Sequence, residues 1–570
     1  MRALACVTVL ALSVPLAASQ AQENAALEAI ATEFVRIRGS QGDAAGPSLA
    51  RVREQAAHAA GVLERLAAID TAALTHDEWI THALLTFEAG LLREAERYFW
   101  MDFRVTPYSS PLGRMLGARF DAMPVATGDQ RLSYLDALHQ FGAAVASHEM
   151  RLRSQMVRGI VLPAEELRLV VPFIRSLVED PASSDFALSP SRLETVPAPD
   201  RDRFKADVDH AIEAVIVPAV NRLAGFLDGP YRAKASPRVG VWQYPGGREY
   251  YAFLITRHTS LSLSPDAIHR KGLDEVARLE RELDRARLQA AFSGTLDEFR
   301  TFLKTDRRFF AATSGAYGGL MMKAIARIEP RIDAFFLRRP KAPYGVLRLD
   351  PALEPSMTYG FYQIPSAAES RGLYRFNGSQ LDKRSVLNAA ALIYHELIPG
   401  HHFQFMLRAE NPKLSAFRRG SNYTPYVEGW GEYASDLAGE MGMYADPYDR
   451  AGRLAMDLFL STRLVVDTGM NALGWPREQA MDFMRAHTLE SDVQIDTETL
   501  RYAVDMPGQA LAYKLGALKI HELRKRAEAA MGAAFDIRRF HDHILDAGAM
   551  PLTVLEAHVE CFIQEKHRVR

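Results

Sequence analysis

The stretch His395-Glu396-Leu397-Ile398-Pro399-Gly400-His401-His402 puts three histidines and one carboxylate into eight residues. Residues 384–398 have a helical composition, with Leu387, Ala390, Ala391 and Tyr394 at helical spacing. A His-Glu pair on such a helix suits a zinc site, with one imidazole on the metal and the neighbouring glutamate aimed at its water. Zinc hydrolases usually place the second histidine one turn on, at i+4. Here that position holds Pro399, and the histidines come at i+6 and i+7. On an unbroken helix i+6 lies about 120° round from i, and i+7 lies about 10 Å further along. Neither would share an ion whose bonds are about 2 Å long. Proline removes a ladder bond and glycine permits unusual backbone angles. Pro399-Gly400 therefore predicts a kink or bulge that absorbs two residues and carries His401 back towards His395, with His402 the rival ligand.

A second stretch, Tyr426-Val427-Glu428-Gly429-Trp430-Gly431-Glu432-Tyr433, follows where a helical zinc enzyme takes its third ligand from a later helix. Glu428 and Glu432 stand at i and i+4 on one helical face, so both are candidates.

HELIPGHHFQ followed by YVEGWGEYA resembles the bacterial family called domain of unknown function 885, whose pattern is HExxPGHxxQ and then EGW. Further stretches carry the resemblance: Tyr244-Pro245-Gly246-Gly247 to Tyr250-Tyr251, Arg257-His258-Thr259, residues 463–474, and Pro507-Gly508-Gln509-Ala510 to Tyr513 and Gly516. The family is regarded as similar to mostly helical zinc metallopeptidases with a glutamate ligand. The resemblance implies His395, His401 and Glu428 as metal ligands, one Zn2+ per chain, and Glu396 as general base. Family members often have a histidine where Asn471 stands, so no role is carried over to that position.

The expected function is that of an exported zinc-dependent hydrolase, most economically a metallopeptidase acting on a peptide or another amide. The alternatives are zinc hydrolysis of a non-peptide amide or ester, and a non-catalytic exported binding protein with a structural metal. Three ligands with Glu396 left over speak against the last, because structural zinc sites are normally closed by four protein ligands. Tyr513 is the candidate donor of a hydrogen bond to the developing oxyanion; a buried tyrosine with a satisfied hydroxyl is its plain alternative. Arg463 and Asp467, at i and i+4, could form an ion pair or support a ligand histidine. His541 and His543 are two apart and do not share a helix face, so no second metal is expected there.

The predicted architecture that positions these groups is mainly α and two-lobed, metallopeptidase-like, with a few short strands near the metal helix. Residues 57–69, 79–99, 132–157 and 206–227 carry apolar residues at three-to-four spacing, with Pro218 kinking the last. Residues 231–247 turn rich in Gly, Pro and aromatics, with a short strand at 239–244. The lobe boundary is placed there, giving an N-terminal helical lobe at 22–235 and a catalytic lobe at 236–570. Short strands are expected within 340–376, either holding an extended peptide or propping the metal helix. His139, His148 and His210 are expected to be structural.

The 570 residues carry a formal charge of -2, with 48% hydrophobic and 24% charged residues, an ordinary globular balance that argues against nucleic acid as the main partner. Met1-Arg2, the apolar run 3–18 and Ser19-Gln20-Ala21 read as a signal peptide at 1–21, which makes the expected location periplasmic or secreted. Cys6 lies inside the apolar run and no later segment offers about 18 uninterrupted apolar residues, so no stable membrane anchor is expected. With the leader removed only Cys561 remains, which leaves no internal disulfide.

Overall fold

The computed structural model describes residues 13–38, 46–108, 110, 112, 120, 122–180, 184–351, 354 and 359–568; the predicted leader falls mostly on residues outside these. The chain is mainly α, as predicted. Counting helices of eight residues or more, the first part holds α1 (Ser13–Arg38), α2 (Leu49–Ala67), α3 (His76–Ala95), α4 (Gly128–Val157), α5 (Ala164–Ser176), α6 (Ala198–Ala211) and α7 (Val217–Phe226). Next come α8 (Gly247–Thr259), α9 (Pro265–Gln289), α10 (Leu296–Thr305) and α11 (Ser314–Ile328). A three-stranded sheet follows: β1 (Tyr344–Arg348), β2 (Gly360–Gln363) and β3 (Gly372–Phe376), in the order β1-β3-β2. β1 runs parallel to β3 with Tyr344 opposite Gly372, and β2 runs antiparallel with Gly360 opposite Phe376.

The rest is helical again: α12 (Ala389–Glu396), α13 (His401–Glu410), α14 (Thr424–Glu440), α15 (Pro447–Asn471), α16 (Arg477–His487), α17 (Asp492–Leu500), α18 (Leu511–Met531), α19 (Ile537–Asp546) and α20 (Leu552–Arg568). Local chemistry sets many of the helix starts. Thr75 with Glu78, Thr127 with Gln130 and Thr295 with Glu298 each form a reciprocal capping box, which satisfies amide groups that the first turn leaves unpaired. Pro265 and Pro447 stand in the first turns of α9 and α15, where a missing N–H costs nothing.

Two expectations are corrected, and a third gains detail. Residues 239–244 hold a short 3-10 turn at Val241–Gln243 rather than a strand. The metal helix does not extend over 384–398; α12 has eight residues, and Ser385 instead bridges to Phe310. Before Pro218 the helix widens into a π turn at Ile212–Ile216, which accommodates the proline that lacks a ladder N–H. The combined run Ala198–Lys234 is long and apolar enough by composition to cross a membrane, but its Val208, Ile212, Ile216, Val220 and Leu223 are buried in a protein core.

The cores do not follow chain order. One gathers side chains from 101–268 and again from 459–515. A second gathers α1–α3 together with residues 317–563, and a smaller third joins α9 and α10 to the first half of α15. The sequence boundary near residue 235 therefore falls inside the first core, and α15 and α18 carry side chains into both the first core and its neighbours. α15 is buried from Ala451 to Asn471 with few gaps, and the charged residues it buries are paired or hydrogen-bonded, as with Asp457 to Lys514 and Arg463 to Glu498. α14 crosses α18 at Gly429 and Gly516: a Cβ on Gly516 would lie 2.0 Å from the Pro425 carbonyl oxygen and 2.8 Å from the Gly429 Cα. Only the bare backbone permits that approach, and it fixes α14 against the rest of the molecule.

Candidate metal centre

α12 brings His395 and Glu396 to its C-terminal end and stops. Leu397 leaves the helix at φ -112°, ψ -89°, Ile398–Pro399 is a cis peptide, Gly400 sits at φ -79°, ψ -126°, and α13 begins at His401. The chain thus breaks and restarts where the sequence predicts a kink or bulge. A Cβ at Gly400 would lie 1.8 Å from the His395 carbonyl oxygen, so glycine is required by close approach. Trp430 on α14, fully buried, donates its indole N–H to the Pro399 carbonyl at 3.0 Å and reaches the Gly400 carbonyl at 3.3 Å. The tryptophan of the second motif therefore clasps the break in the first.

The break turns the His401 ring to within 4.5 Å of the His395 ring, centroid to centroid. Nε2 of His395 lies 3.5 Å from Oε2 of Glu428, and Nε2 of His401 lies 3.4 Å from the same oxygen. Donor atoms of all three residues fall within 4.8 Å of one another. These separations are long for good hydrogen bonds, which run to about 3.2 Å. They match the edges of a tetrahedron with metal–ligand bonds of about 2.0–2.1 Å, which are about 3.3–3.4 Å. Two imidazoles and one carboxylate, with a fourth position open, are a donor set suited to zinc.

The rivals of the sequence reading are separated by contacts. His402 is fully buried and points elsewhere: its Nδ1 meets the Tyr362 hydroxyl at 2.9 Å and its Nε2 meets the Ala342 carbonyl at 3.0 Å. It ties α13 to β2 and to the approach to β1, and burial pushes its pKa down to about 4. Glu432 takes the outer nitrogen of His395, with Oε1 2.7 Å from Nδ1, and its Oε2 lies 3.2 Å from the Arg453 guanidinium. A carboxylate on Nδ1 sets the tautomer that presents Nε2 to a metal. No motif pointed to Arg453, which stands on α15 and is buried behind Glu432.

Electrostatically the pocket attracts positive charge. Burial disfavours the charged His395 ring, yet Glu428 and Glu432 push it up to about 10. Burial also works against the charge on Glu428, and the two imidazoles outweigh it and hold the carboxylate low. Glu396 is raised by burial, against the pull of His401 and His395. Tyr513, half-buried on α18, is raised by burial and then by the charge of Glu428, and its hydroxyl is hydrogen-bonded to the Gln509 side chain, the plain alternative of the sequence reading.

Gly431, the residue after Trp430 on α14, faces the His395 ring. A Cβ there would lie 2.7 Å from its Cε1 and 2.9 Å from both ring nitrogens. Gly431→Ala is expected to displace that ring. The expected outcome is a loss of about 1–3 kcal/mol in unfolding free energy, as overpacking typically costs. Zinc affinity is expected to fall by about 10- to 100-fold, the range seen when a ligand loses its orientation. Denaturant unfolding and competition with a chromophoric chelator would measure the two separately.

Other sequence candidates lie apart from the three donors. Arg463 and Asp467 do not pair: Arg463 meets Tyr502 at 2.7 Å and Glu498 at 3.2 Å, whereas Asp467 accepts from the Tyr251 hydroxyl at 2.6 Å and the Gly508 amide at 3.0 Å. Asn471 accepts from the Val241 amide at 3.1 Å and donates to the Tyr502 carbonyl at 3.0 Å, a scaffold role. His541 bridges the Phe335 carbonyl and the Tyr433 hydroxyl, and His543 stacks on His558.

The family model for bacterial proteins of unknown function (DUF885) matches residues 31–559. Among solved structures, one described as "the putative lipoprotein from Colwellia psychrerythraea" superposes with a TM-score of 0.82 at 25% identity, covering 96% of this chain and 99% of that one. A second, "a putative lipoprotein of unknown function from Shewanella oneidensis", superposes with a TM-score of 0.68 at 16% identity, covering 94% of this chain and 99% of that one. No curated protein matches significantly. With the family model spanning residues 31–559 and both motifs, the chain belongs to the DUF885 family of bacterial proteins.

Proposed function

We propose that this protein is an exported zinc-dependent hydrolase, most economically a metallopeptidase. The observation that carries the reading is the convergence of His395, His401 and Glu428 at tetrahedral spacing, with Glu396, next to His395 in the chain and coupled electrostatically to both imidazoles, outside the ligand set. A fourth protein ligand would favour a structural metal; among the described residues only three His, Cys, Asp or Glu side chains converge here, which favours a catalytic one. Zinc held there would supply Lewis acidity towards the scissile carbonyl and lower the pKa of a bound water.

The chain's own residues divide the remaining work. Glu396 takes the proton from the attacking water and delivers it to the leaving nitrogen as the C–N bond breaks. Glu432 and Arg453 hold the His395 ring in place. Tyr513, which keeps its proton, donates to the oxygen that gains charge. Peptide substrates fit an exported hydrolase, and the apolar leader at 3–18 supports export; so does the description of two structural relatives as lipoproteins. Hydrolysis of a non-peptide amide or ester would use the same groups.

The test is a peptide library incubated with the purified full chain, assayed as isolated, after chelation, and after zinc is returned. Cleavage lost on chelation and restored by zinc is the expected result. A chain that takes up no metal on careful loading would sink the reading.

A further inference from the structure

Away from the metal centre, three histidines from three helices meet in one stack. His543 on α19 and His558 on α20 lie face to face, with ring centres 3.8 Å apart and planes 12° apart. Nε2 of each ring lies 2.9 Å from the other residue's carbonyl oxygen. His76, in the first turn of α3, brings its Nε2 to 2.7 Å from Nδ1 of His558, with its ring 10° from parallel. Trp79 continues the stack beyond His76. His558 is buried, and the other two histidines are half-buried.

These contacts fix the protons. A carbonyl oxygen only accepts, so Nε2 of His543 and Nε2 of His558 each carry a hydrogen. In the neutral His558 ring Nδ1 is then a lone pair, and it accepts from the Nε2–H of His76. Both nitrogens of His558 are in use, and a further proton has only Nδ1 to go to. There it sets N–H against N–H unless His76 moves its own hydrogen to the other nitrogen. It also leaves a buried imidazolium face to face with His543, and burying a charge is costly. Burial first, and then His543, accordingly hold His558 well below the ordinary imidazole range.

The carboxylates around the stack are already paired. Asp77 on α3 meets Arg418 at 2.9 Å, and Asp542 and Asp546 on α19 both meet Arg338, at 2.5 Å and 2.9 Å. Arg418, between α13 and α14, itself opposes a proton on His558. Lys413 and Arg539 add further cations along the cavity of about 620 Å³ that the three histidines line, through which solvent reaches them.

We propose that this stack is an acid-sensitive latch, which seats the start of α3 on α19 and α20 at neutral pH and releases it in acid. Opened, the rings take up protons near the ordinary imidazole value of about 6.5, whereas closed His558 does so only at much lower pH. The closed state therefore binds fewer protons. Its advantage is complete above about pH 6.5 and is lost as pH falls, about tenfold per pH unit for each proton taken up on opening. Release reaches the metal helix, because Glu88 further along α3 accepts from the Tyr423 hydroxyl at 2.7 Å, directly before α14. The latch does not depend on the hydrolase reading.

The experiment is hydrogen exchange of the full chain read by mass spectrometry, corrected for intrinsic rates, at about pH 7.5 and about pH 5, with α15 as the internal reference. Exchange of α3 is expected to rise by about 10- to 30-fold in acid relative to α15. His558→Gln offers one donor and one acceptor, as the neutral ring does, and takes no proton; exchange of its α3 should not respond to acid. Should that chain fail to fold, His558→Phe, which keeps a stacked ring, takes the same test. Exchange of α3 that stays level in the unaltered chain, or that rises in step with α15, would overturn the latch whatever the variants do. An acid response of α3 that persists in a folded His558→Gln or His558→Phe chain would overturn it as well.

Discussion

Glu396→Gln is expected to lower peptide turnover by about 10²- to 10⁴-fold, the range that a positioned general base contributes, while the chain keeps its zinc. Glutamine preserves the size of the side chain and can still hydrogen-bond, but it cannot accept a proton from water. Glu396 ends α12 next to His395, and its carboxylate feels the charges of His401, His395, Glu428 and Glu432. It is thus electrostatically coupled to the three donors without being one of them. Turnover measured on the library at saturating zinc, beside metal analysis of the same samples, separates the roles. A protein whose metal is structural would show no functional change, and a variant that lost both metal and turnover would make Glu396 a ligand.

His395→Ala and Glu428→Ala are each expected to lose stoichiometric zinc, with affinity falling by more than about 100-fold. The bound is set by outer-sphere partners, whose removal alone costs about 10- to 100-fold; losing one donor of three should exceed it. His402→Ala supplies the contrast. It leaves the Tyr362 hydroxyl and the Ala342 carbonyl without their partner in a fully buried place. The expected cost is about 2–4 kcal/mol in unfolding free energy, from the cavity and the orphaned polar groups, with zinc retained. Plasma emission spectrometry on the three variants, each checked for helical content, decides between His401 and His402 as the second ligand. Zinc lost from His402→Ala and retained by His395→Ala would overturn the assignment.

Much of the scaffold was legible because its signals are local. Helices such as α9 announce themselves by amphipathic spacing, and the three strands by aromatic runs at 344–346, 359–362 and 373–377. Where the reading missed, a tertiary contact had replaced a local preference. The residues before α12 look helical, yet Ser385 is taken by a bridge to Phe310. The 239–244 segment looks extended, yet the Val241 amide is held by Asn471 from the end of α15. The arrangement of cores was invisible for a related reason. Residues 101–268 find their packing partners at 459–515, and no periodicity encodes a contact over such a separation.

At the candidate site the sequence by itself determined the chemistry of the donors: an imidazole at the end of a helix, two more just past a proline and glycine that forbid a continuous helix, and carboxylates in a later helical stretch. Those are properties of residue types and short spacings. Only the tertiary structure decided which atoms meet. Trp430 reaches across from α14 to clasp the Pro399 carbonyl, and that direction of exit aims His401 at Glu428 while His402 turns towards Tyr362. Glu428 and Glu432 share a helical face, but the crossing at Gly429 and Gly516 sets the height of α14 so that one meets Nε2 of His395 and the other Nδ1. The choice between neighbours on one face depends on displacements of a few ångströms, and those are fixed by packing between helices far apart in the chain.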